Sequence, residues 1–182
     1  MNENNTLSTN NEGLIYGQIK EILTSARAKA YSAINFAMVE AYWLIGKQIV
    51  EAQAGNERAE YGTQLLKYLS QQLTRDFGKG FDESNLRLIR QFYLAFPIRD
   101  AVRHELAWTH YRLIMKVQNE RTRNFYIDEC IKSNWSTRQL ERQINTLFYE
   151  RLLSSQDKEA VAAEIQRTAT PFNPKELIKI KL

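Results

Sequence analysis

The sequence has 182 residues, of which 43% are hydrophobic and 25% charged, and a formal net charge of +4. This composition is typical of a globular protein and excludes a chain that is disordered throughout. Cys130 is the one cysteine, and neither a leader nor a membrane-spanning run is recognisable, so we expect a cytoplasmic protein that folds without disulfides.

The first predicted helix fills the N-terminal third of the chain. Residues 1–12 are rich in asparagine and have little apolar surface to bury, so we expect a disordered tail there. From Leu14, apolar residues recur at steps of three and four as far as Ile49, which predicts one long amphipathic helix or two in line. Gly46 lies inside this pattern, where glycine costs about 1 kcal/mol relative to alanine. We therefore expect Gly46 to permit a close contact with another helix.

Two more helices are predicted around a short glycine-containing turn. A Gly-Asn pair at residues 55–56 is a stop signal, and a second amphipathic helix then carries Tyr61 to Leu73. The turn is Phe77-Gly-Lys-Gly-Phe81. Asp82 suits the N-cap of a third helix that stops at Pro97.

The rest of the chain is predicted to be helical as well. One helix begins at about Arg99 or after His104 and carries residues 106–117. Residues 120–151 form two helices joined by a tight turn, which is the outline of a helix-turn-helix. Its signals are Asn134 as a left-handed C-cap and a capping box formed by Ser136 and Gln139.

No segment alternates convincingly with period two, so the predicted fold is all-α. Long N-terminal amphipathic helices would pack with a helix-turn-helix-like bundle, and residues 13–167 would form one helical domain. The last helical segment would run to about Thr168. Pro171 and Pro174 then break the pattern, so residues 168–182 would be a tail or linker.

Catalytic and metal-binding side chains are few. His104 and His110 are six residues apart and would lie on different faces of a helix, and His110 suits a buried, hydrogen-bonded role. Cys130 lies in an apolar helical pattern without a reactive-thiol motif, so we interpret it as packed. The turn at residues 77–81 lacks the strand of a phosphate loop. We expect no catalytic site, no metal site and no cofactor.

The basic excess is local. Residues 79–151 contain thirteen Lys and Arg against nine Asp and Glu, and ten of the fourteen arginines are among them. Arginine suits bidentate contacts to phosphate and guanine. A polyanion is therefore one candidate partner, although a solvated helix surface would also use arginine freely.

Two capped helices would present polar donors on the faces opposite their apolar residues. Such faces resemble recognition helices, because Arg reads guanine and Asn or Gln reads adenine in the major groove. An ordinary solvated face has the same appearance. The predicted nucleic-acid-binding residues are Ser84, Arg87, Arg90, Gln91, Arg138, Arg142 and Asn145.

A different class of function is also compatible with the sequence. The amphipathic segment from Leu14 to Ala54 would assemble with itself or with a partner protein, and the arginine-rich faces would only be solvated. Phe36, Tyr42 and Trp43 suit the anchors of such an interface. An enzyme with an unfamiliar site is a third alternative.

Two motifs and their neighbours resemble those of the YhcG-type bacterial proteins. The motifs are Gly80-Phe-Asp-Glu-Ser-Asn-Leu-Arg-Leu-Ile-Arg-Gln-Phe-Tyr93 and Asn134-Trp-Ser-Thr-Arg-Gln-Leu-Glu-Arg-Gln-Ile144. Tyr42-Trp-Leu-Ile-Gly-Lys47, Tyr61-Gly62 and Leu106-Ala-Trp-Thr-His-Tyr111 match in the same order. The similarity covers the chain from about Leu14 to Arg151.

This resemblance implies a helical N-terminal domain thought to bind DNA, followed in the family by a C-terminal PD-(D/E)xK nuclease-like domain. The present sequence ends at Leu182, where Pro174-Lys-Glu-Leu-Ile178 would lead into that domain. We therefore expect a non-catalytic DNA-binding module, truncated or stand-alone, whose nuclease domain is absent or supplied by a separate chain.

Overall fold

The computed structural model describes residues 3–54, 59–98, 102–156 and 163, and within them it contains only helices as regular structure. The all-α prediction is confirmed. The side chains of residues 3–10, 54 and 59–61 are not described. The described elements are α1 Glu3–Ala54, α2 Ala59–Phe77, α3 Glu83–Ala95, α4 Trp108–Ile114, α5 Glu120–Lys132, α6 Thr137–Asn145 and α7 Phe148–Ser154.

Helix α1 is one continuous element of 52 residues. It begins at Glu3, whereas the sequence pattern predicts a helix start at Leu14 and a disordered tail before it. Asparagine lowers helix propensity only modestly, and no proline occurs before residue 97, so the helical hydrogen bonds can continue through this region. The extra turns precede a stretch in which residues 11–27 are all exposed.

The second half of α1 packs across α3. Leu86, Ile89 and Phe92 of α3 are completely buried. A Cβ atom at Gly46 would lie 2.4 Å from the carbonyl oxygen of Ile89 and 3.0 Å from the Cβ of Tyr93. The predicted close contact at Gly46 is confirmed, because only glycine lets the two backbones approach this far.

Helix α4 is shorter than predicted. It begins at Trp108, and residues 102–107 precede it as turns and irregular backbone. The hydroxyl of the buried Tyr111 accepts a hydrogen bond from the backbone N–H of Arg103 at 2.6 Å. That bond holds the chain around Arg103 outside the helix, which periodicity alone does not indicate.

The region after α5 contains one more break than the sequence predicts. Leu147 has φ 52°, in the left-handed region, so α6 ends at Asn145 and the chain turns into α7. The turn leaves Leu147 57% exposed and buries Phe148, whose ring lies 5.5 Å from that of Phe125 and 6.2 Å from that of Trp135. Burial of Phe148 outweighs the preference of leucine for negative φ.

The turn between α5 and α6 has the predicted local structure. Asn134 has φ 47°, which confirms the left-handed cap. The Ser136 hydroxyl accepts from the backbone N–H of Gln139 at 3.3 Å, and the Gln139 side chain accepts from the backbone N–H of Ser136 at 2.7 Å. The capping box is therefore confirmed, while the helix-turn-helix interpretation stays a prediction.

None of the described helices is long and apolar enough to cross a lipid bilayer. Of the residues after 156, the structure describes only residue 163, which is helical. The rest of the predicted last helical segment and the predicted tail at residues 168–182 lie outside the described residues.

Candidate nucleic-acid interface

The start of α3 is fixed by its own first residues. Gly78 and Gly80 have positive φ values of 82° and 118°, which form the turn after α2. The Asp82 carboxylate accepts a hydrogen bond from the backbone N–H of Asn85 at 3.0 Å, as its predicted N-cap role requires. The Asn85 amide in turn donates to the carbonyl oxygen of Gly80. These bonds fix the direction of α3 relative to the turn.

The predicted donors of α3 all lie on its exposed side. Ser84, Arg87, Arg90 and Gln91 are exposed, opposite the buried residues of the helix. The Arg87 guanidinium lies 2.8 Å from the Glu83 carboxylate, one turn earlier. Because both side chains are solvent-accessible, this ion pair is weak, and a phosphate can compete for Arg87.

Helix α6 is fixed on its inner side by polar as well as apolar contacts. Leu140 is completely buried, and Gln139 and Gln143 are nearly so. The Tyr126 hydroxyl donates to the backbone carbonyl of Gln143 at 3.2 Å. These contacts fix which side of α6 faces the core and which side faces the solvent.

The outer side of α6 carries the second predicted set. Arg138, Arg142 and Asn145 are all exposed, and their spacing of four and three residues aligns them along the helix. Glu141 is exposed too and lies beside this row. Each donor face therefore includes a carboxylate, Glu83 on α3 and Glu141 on α6.

Helix α4 lies between α3 and α6. The rings of Trp108 and Tyr111 lie 5.3 Å and 4.8 Å from the ring of Phe92 on α3. On another side of α4, the Thr109 hydroxyl is 3.1 Å from that of Thr137 on α6. Helices α3 and α6 therefore both contact α4, and the two donor faces belong to different helices.

Two further arginines, Arg112 and Arg123, differ in their surroundings. Arg112 is exposed on α4, one turn after Thr109. Because the Thr109 hydroxyl contacts Thr137 of α6, Arg112 lies near α6, which the sequence alone does not indicate. Arg123 instead donates to the carbonyl oxygens of Val117 and Gln118 at 3.1 Å and 2.9 Å. It therefore holds the turn before α5.

The histidine and the cysteine singled out in the sequence are structural. His110 Nδ1 accepts from the backbone N–H of Ala107 at 3.2 Å, and Nε2 lies 3.1 Å from the carbonyl oxygen of Trp135. Burial lowers the pKa of His110, against a smaller opposing effect of the Trp135 bond, so the imidazole is neutral and Nε2 carries the proton.

Cys130 is 2% exposed, and burial raises the pKa of its thiol to about 12. The thiol is therefore protonated at neutral pH, as the sequence interpretation of a packed cysteine expects. Within the described part of the chain, no three His, Cys, Asp or Glu side chains are grouped so that they could hold a metal ion.

Comparison with known proteins places these helices in a family. The model of the DUF1016 N-terminal domain matches residues 18–151. The chain is 34% identical over 198 aligned positions to a protein of Escherichia coli (strain K12) named "Putative nuclease YhcG". The match covers 91% of this chain but 53% of that relative, so the chain spans about half the relative's length. No solved structure matches. The family model covers most of the sequence, from α1 to α7. The chain therefore belongs to the DUF1016 N-terminal domain family.

Proposed function

We propose that this chain is a DNA-binding module whose contacts come from the donor faces of α3 and α6. The observation that carries the proposal is the fixed orientation of α6, which buries Gln139, Leu140 and Gln143 and leaves Arg138, Arg142 and Asn145 outward. A row of two arginines and an asparagine along one helix can contact phosphates and base edges together. The nuclease in the name of the relative supports DNA as the polyanion.

The position of the two donor faces on different helices suggests different tasks for them. The major groove is about 12 Å wide and admits one helix, so α3 and α6 cannot both enter one groove at the same place. We assign α6 to the groove, because its three donors form a single row. The α3 donors then contact the phosphate backbone; they are Ser84, Arg87, Arg90 and Gln91. Arg87 can leave its ion pair with Glu83 and bind a phosphate instead.

The module is proposed to bind DNA rather than to cut it. Among the described side chains with shifted pKa values, His110 and Cys130 are buried and used for packing and backbone hydrogen bonds. Burial raises the pKa of Tyr42, Tyr111 and Tyr126, so their hydroxyls stay protonated at neutral pH. Incubation with plasmid DNA and Mg²⁺ tests this directly. Conversion of supercoiled plasmid to nicked or linear forms by the purified chain would contradict it.

Fluorescence anisotropy with a labelled duplex of random sequence, repeated over a series of salt concentrations, tests DNA binding. Each phosphate contact contributes about 0.9 to the slope of log K against log salt for duplex DNA. We expect binding at low ionic strength that weakens steeply as salt rises. Absence of salt-dependent binding under those conditions would overturn the proposal.

Single alanine variants then assign the contacts. Arg138→Ala and Arg142→Ala should each reduce the salt slope by about one if they contact phosphate. An arginine that reads guanine should instead lose roughly 1–3 kcal/mol at one base position only. Arg87→Ala and Arg90→Ala test α3 in the same way. Ser84→Ala and Gln91→Ala should weaken binding to all sequences alike, because phosphate contacts carry no base preference, whereas Asn145→Ala should lose base preference.

Arg75→Ala is the matched control. Arg75 is a solvent-exposed arginine at the end of α2 that pairs with its neighbour Asp76 at 2.8 Å, so its removal takes away the same unit of charge outside both donor faces. It should leave the slope unchanged. An equal effect of Arg75→Ala and Arg142→Ala would show that net charge, and not the α6 face, governs binding.

A second candidate function, assembly through α1, is supported by a separate observation. Large apolar side chains are exposed along the first half of α1, at Leu14, Ile15, Tyr16, Ile19, Ile22, Leu23 and Ile34. Monomeric proteins rarely leave such a continuous apolar surface uncovered. The two functions use different helices, so each can fail without the other.

A further inference from the structure

The first half of α1 lies outside the packed part of the molecule. Among residues 11–34, which are named here the arm, all side chains except Ala28 and Tyr31 are exposed. At 1.5 Å per residue these 24 residues extend for about 36 Å. Helices in proteins are stabilised mainly by packing of an apolar face. Because the arm is exposed, packing against the rest of its own chain contributes little to its stability.

The apolar residues of the arm form a regular seam. Ile15, Ile19, Ile22 and Ala26 follow one another at steps of four, three and four, which is the 3.5-residue period of a coiled coil. Tyr16 and Leu23 flank the seam and are 67% and 54% exposed. Gly17, Lys20, Thr24 and Ala28 occupy the opposite side, so the arm has one apolar face only.

We infer that the arm pairs with the arm of a second copy of this chain as an antiparallel coiled coil centred between Lys20 and Glu21. This register places Ile15 opposite Ala26 of the second copy and Ile19 opposite its Ile22. By the two-fold symmetry each of these layers occurs twice. The four seam residues of each copy therefore all find apolar partners, with no residue left unmatched.

Charge distinguishes this arrangement from a parallel one. Continuing the same period, Glu12 and Lys29 occupy the two ends of the seam. In the antiparallel register Glu12 lies opposite Lys29 of the second copy, at both ends of the dimer. A parallel pair would place Glu12 against Glu12 and Lys29 against Lys29, and like charges at such positions oppose pairing.

The charges of the whole arm follow the same trend. The half of the arm before the centre carries Glu12 and Lys20, whereas the half after the centre carries Glu21, Arg27 and Lys29. The half after the centre thus has an excess of one positive charge, and both of its cations lie in its distal part. An antiparallel partner brings its Glu12 end to this basic part, while a parallel partner brings a second basic segment. Complementarity of charge therefore selects a second, antiparallel copy as the occupant.

This inference rests on the proposed assembly through α1 and adds the partner and its orientation. Sedimentation equilibrium of the full chain, over a wide range of concentration, measures association. We expect a reversible dimer, because the seam contains only four apolar layers. Ile19→Asp and Ile22→Asp should each render the chain monomeric, since each puts two carboxylates into the centre of the seam. A wild-type chain that is monomeric up to its solubility limit would overturn both the inference and assembly with itself.

Leu44→Asp is the control for these aspartate variants. Leu44 lies on the same helix and is 52% exposed, but it is beyond the arm and outside the seam. It should dimerise like the wild type. Equal loss of dimer in Leu44→Asp would place the interface elsewhere on α1 and overturn the register. Far-UV circular dichroism of each variant shows that the packed part remains folded.

Cysteine crosslinking separates the orientations. Ile15→Cys combined with Ala26→Cys brings opposite positions within disulfide reach only in the antiparallel register. Under mild oxidation the double variant should form a covalent dimer, while each single variant should not. Cys130 does not interfere, because it is buried. Crosslinking by the single variants would show a parallel dimer, which overturns the orientation and leaves assembly through α1 intact.

Charge reversal gives an independent check. Glu12→Lys alone and Lys29→Glu alone should each weaken the dimer several-fold, and the double reversal should restore it. A double variant that is no tighter than the single ones would contradict the Glu12–Lys29 pairing.

Discussion

The two halves of α1 have the same apolar periodicity but opposite environments. In the arm, Ile15, Ile19 and Ile22 are 46%, 50% and 67% exposed, whereas Val39 and Ile49 of the second half are 0% and 2% exposed. The difference arises from what lies beside the helix. α3 packs against the second half, and no described helix packs along the first.

This comparison shows what periodicity does and does not predict. A repeat of apolar residues predicts a helix with one face to bury. It does not predict whether the residues that bury this face belong to the same chain or to another molecule. The second half of α1 packs against its own chain, and the proposed assembly assigns a partner to the first half, whose apolar side chains are exposed.

The largest expected effect comes from removing the aromatic anchor of the packed half. Trp43 is 7% exposed, and its indole N–H donates to the carbonyl oxygen of Phe96 at 2.7 Å. Trp43→Ala leaves a cavity against Tyr93 and takes away the partner of that carbonyl, so we expect a loss of about 3–5 kcal/mol in the free energy of unfolding. Urea denaturation followed by circular dichroism at 222 nm measures it.

Tyr16→Ala is the matched change in the arm, because Tyr16 is an aromatic residue of the same helix that is 67% exposed. At concentrations where the chain is monomeric, we expect a change within about 0.5 kcal/mol. Similar losses for Tyr16→Ala and Trp43→Ala would show that the arm is packed in the monomer, and the contrast between the halves would be wrong.

Glycine substitutions give a smaller effect, of opposite sign in the two halves. At Gly46 an added methyl group would lie 2.4 Å from the Ile89 carbonyl oxygen, so α1 and α3 must separate, and we expect Gly46→Ala to destabilise by about 1–3 kcal/mol. At Gly17 nothing lies within 4 Å of the added group. Gly17→Ala should stabilise the helix by up to about 1 kcal/mol.

Both changes are measured by thermal or urea unfolding, and hydrogen exchange of arm amides locates the effect of Gly17→Ala. A neutral Gly46→Ala would mean that the α1–α3 contact is looser than the structure shows. A destabilising Gly17→Ala would mean that something covers the arm at that position.

Those features that could be predicted from the sequence are local. The Asp82 cap, the Asn134 turn and the Ser136–Gln139 box each depend on residues within one helical turn of one another, and each is present. The close approach at Gly46 could be predicted too, because glycine weakens a helix interior and suits a position where a second backbone must come near.

The features that could not be predicted depend on residues distant in sequence or space. Tyr111 delays the start of α4 by binding the backbone of Arg103, and Leu147 adopts positive φ so that Phe148 can be buried. The donor residues of α3 and α6 are exposed as predicted. Their separation by α4 and the structural use of Arg123 are tertiary facts that no spacing rule contains.

The smallest expected effect is a dependence of stability on pH that acts on the packed part alone, since the arm contains no histidine. The neutral His110 imidazole accepts from the N–H of Ala107 through Nδ1. Burial disfavours the charged imidazolium and lowers the pKa of His110, against a smaller opposing effect of the hydrogen bond to the Trp135 carbonyl. The unfolded chain, with a histidine pKa of about 6.5, then binds more protons than the folded one. Stability is complete above that pKa and falls as the pH drops below it toward the folded pKa.

His110→Gln removes this titration while keeping an acceptor that can reach the Ala107 N–H, as glutamine does at the corresponding position of a capping box. Unfolding measured between about pH 7.5 and pH 5.5, a range in which histidine is the side chain that ordinarily titrates, should show a decline for the wild type and a flatter profile for His110→Gln. His104 is present in both proteins, so its contribution cancels. Parallel profiles would show that His110 does not change its protonation on unfolding. A decline that also appears in hydrogen exchange of the arm amides would show that the two halves of α1 unfold together rather than separately.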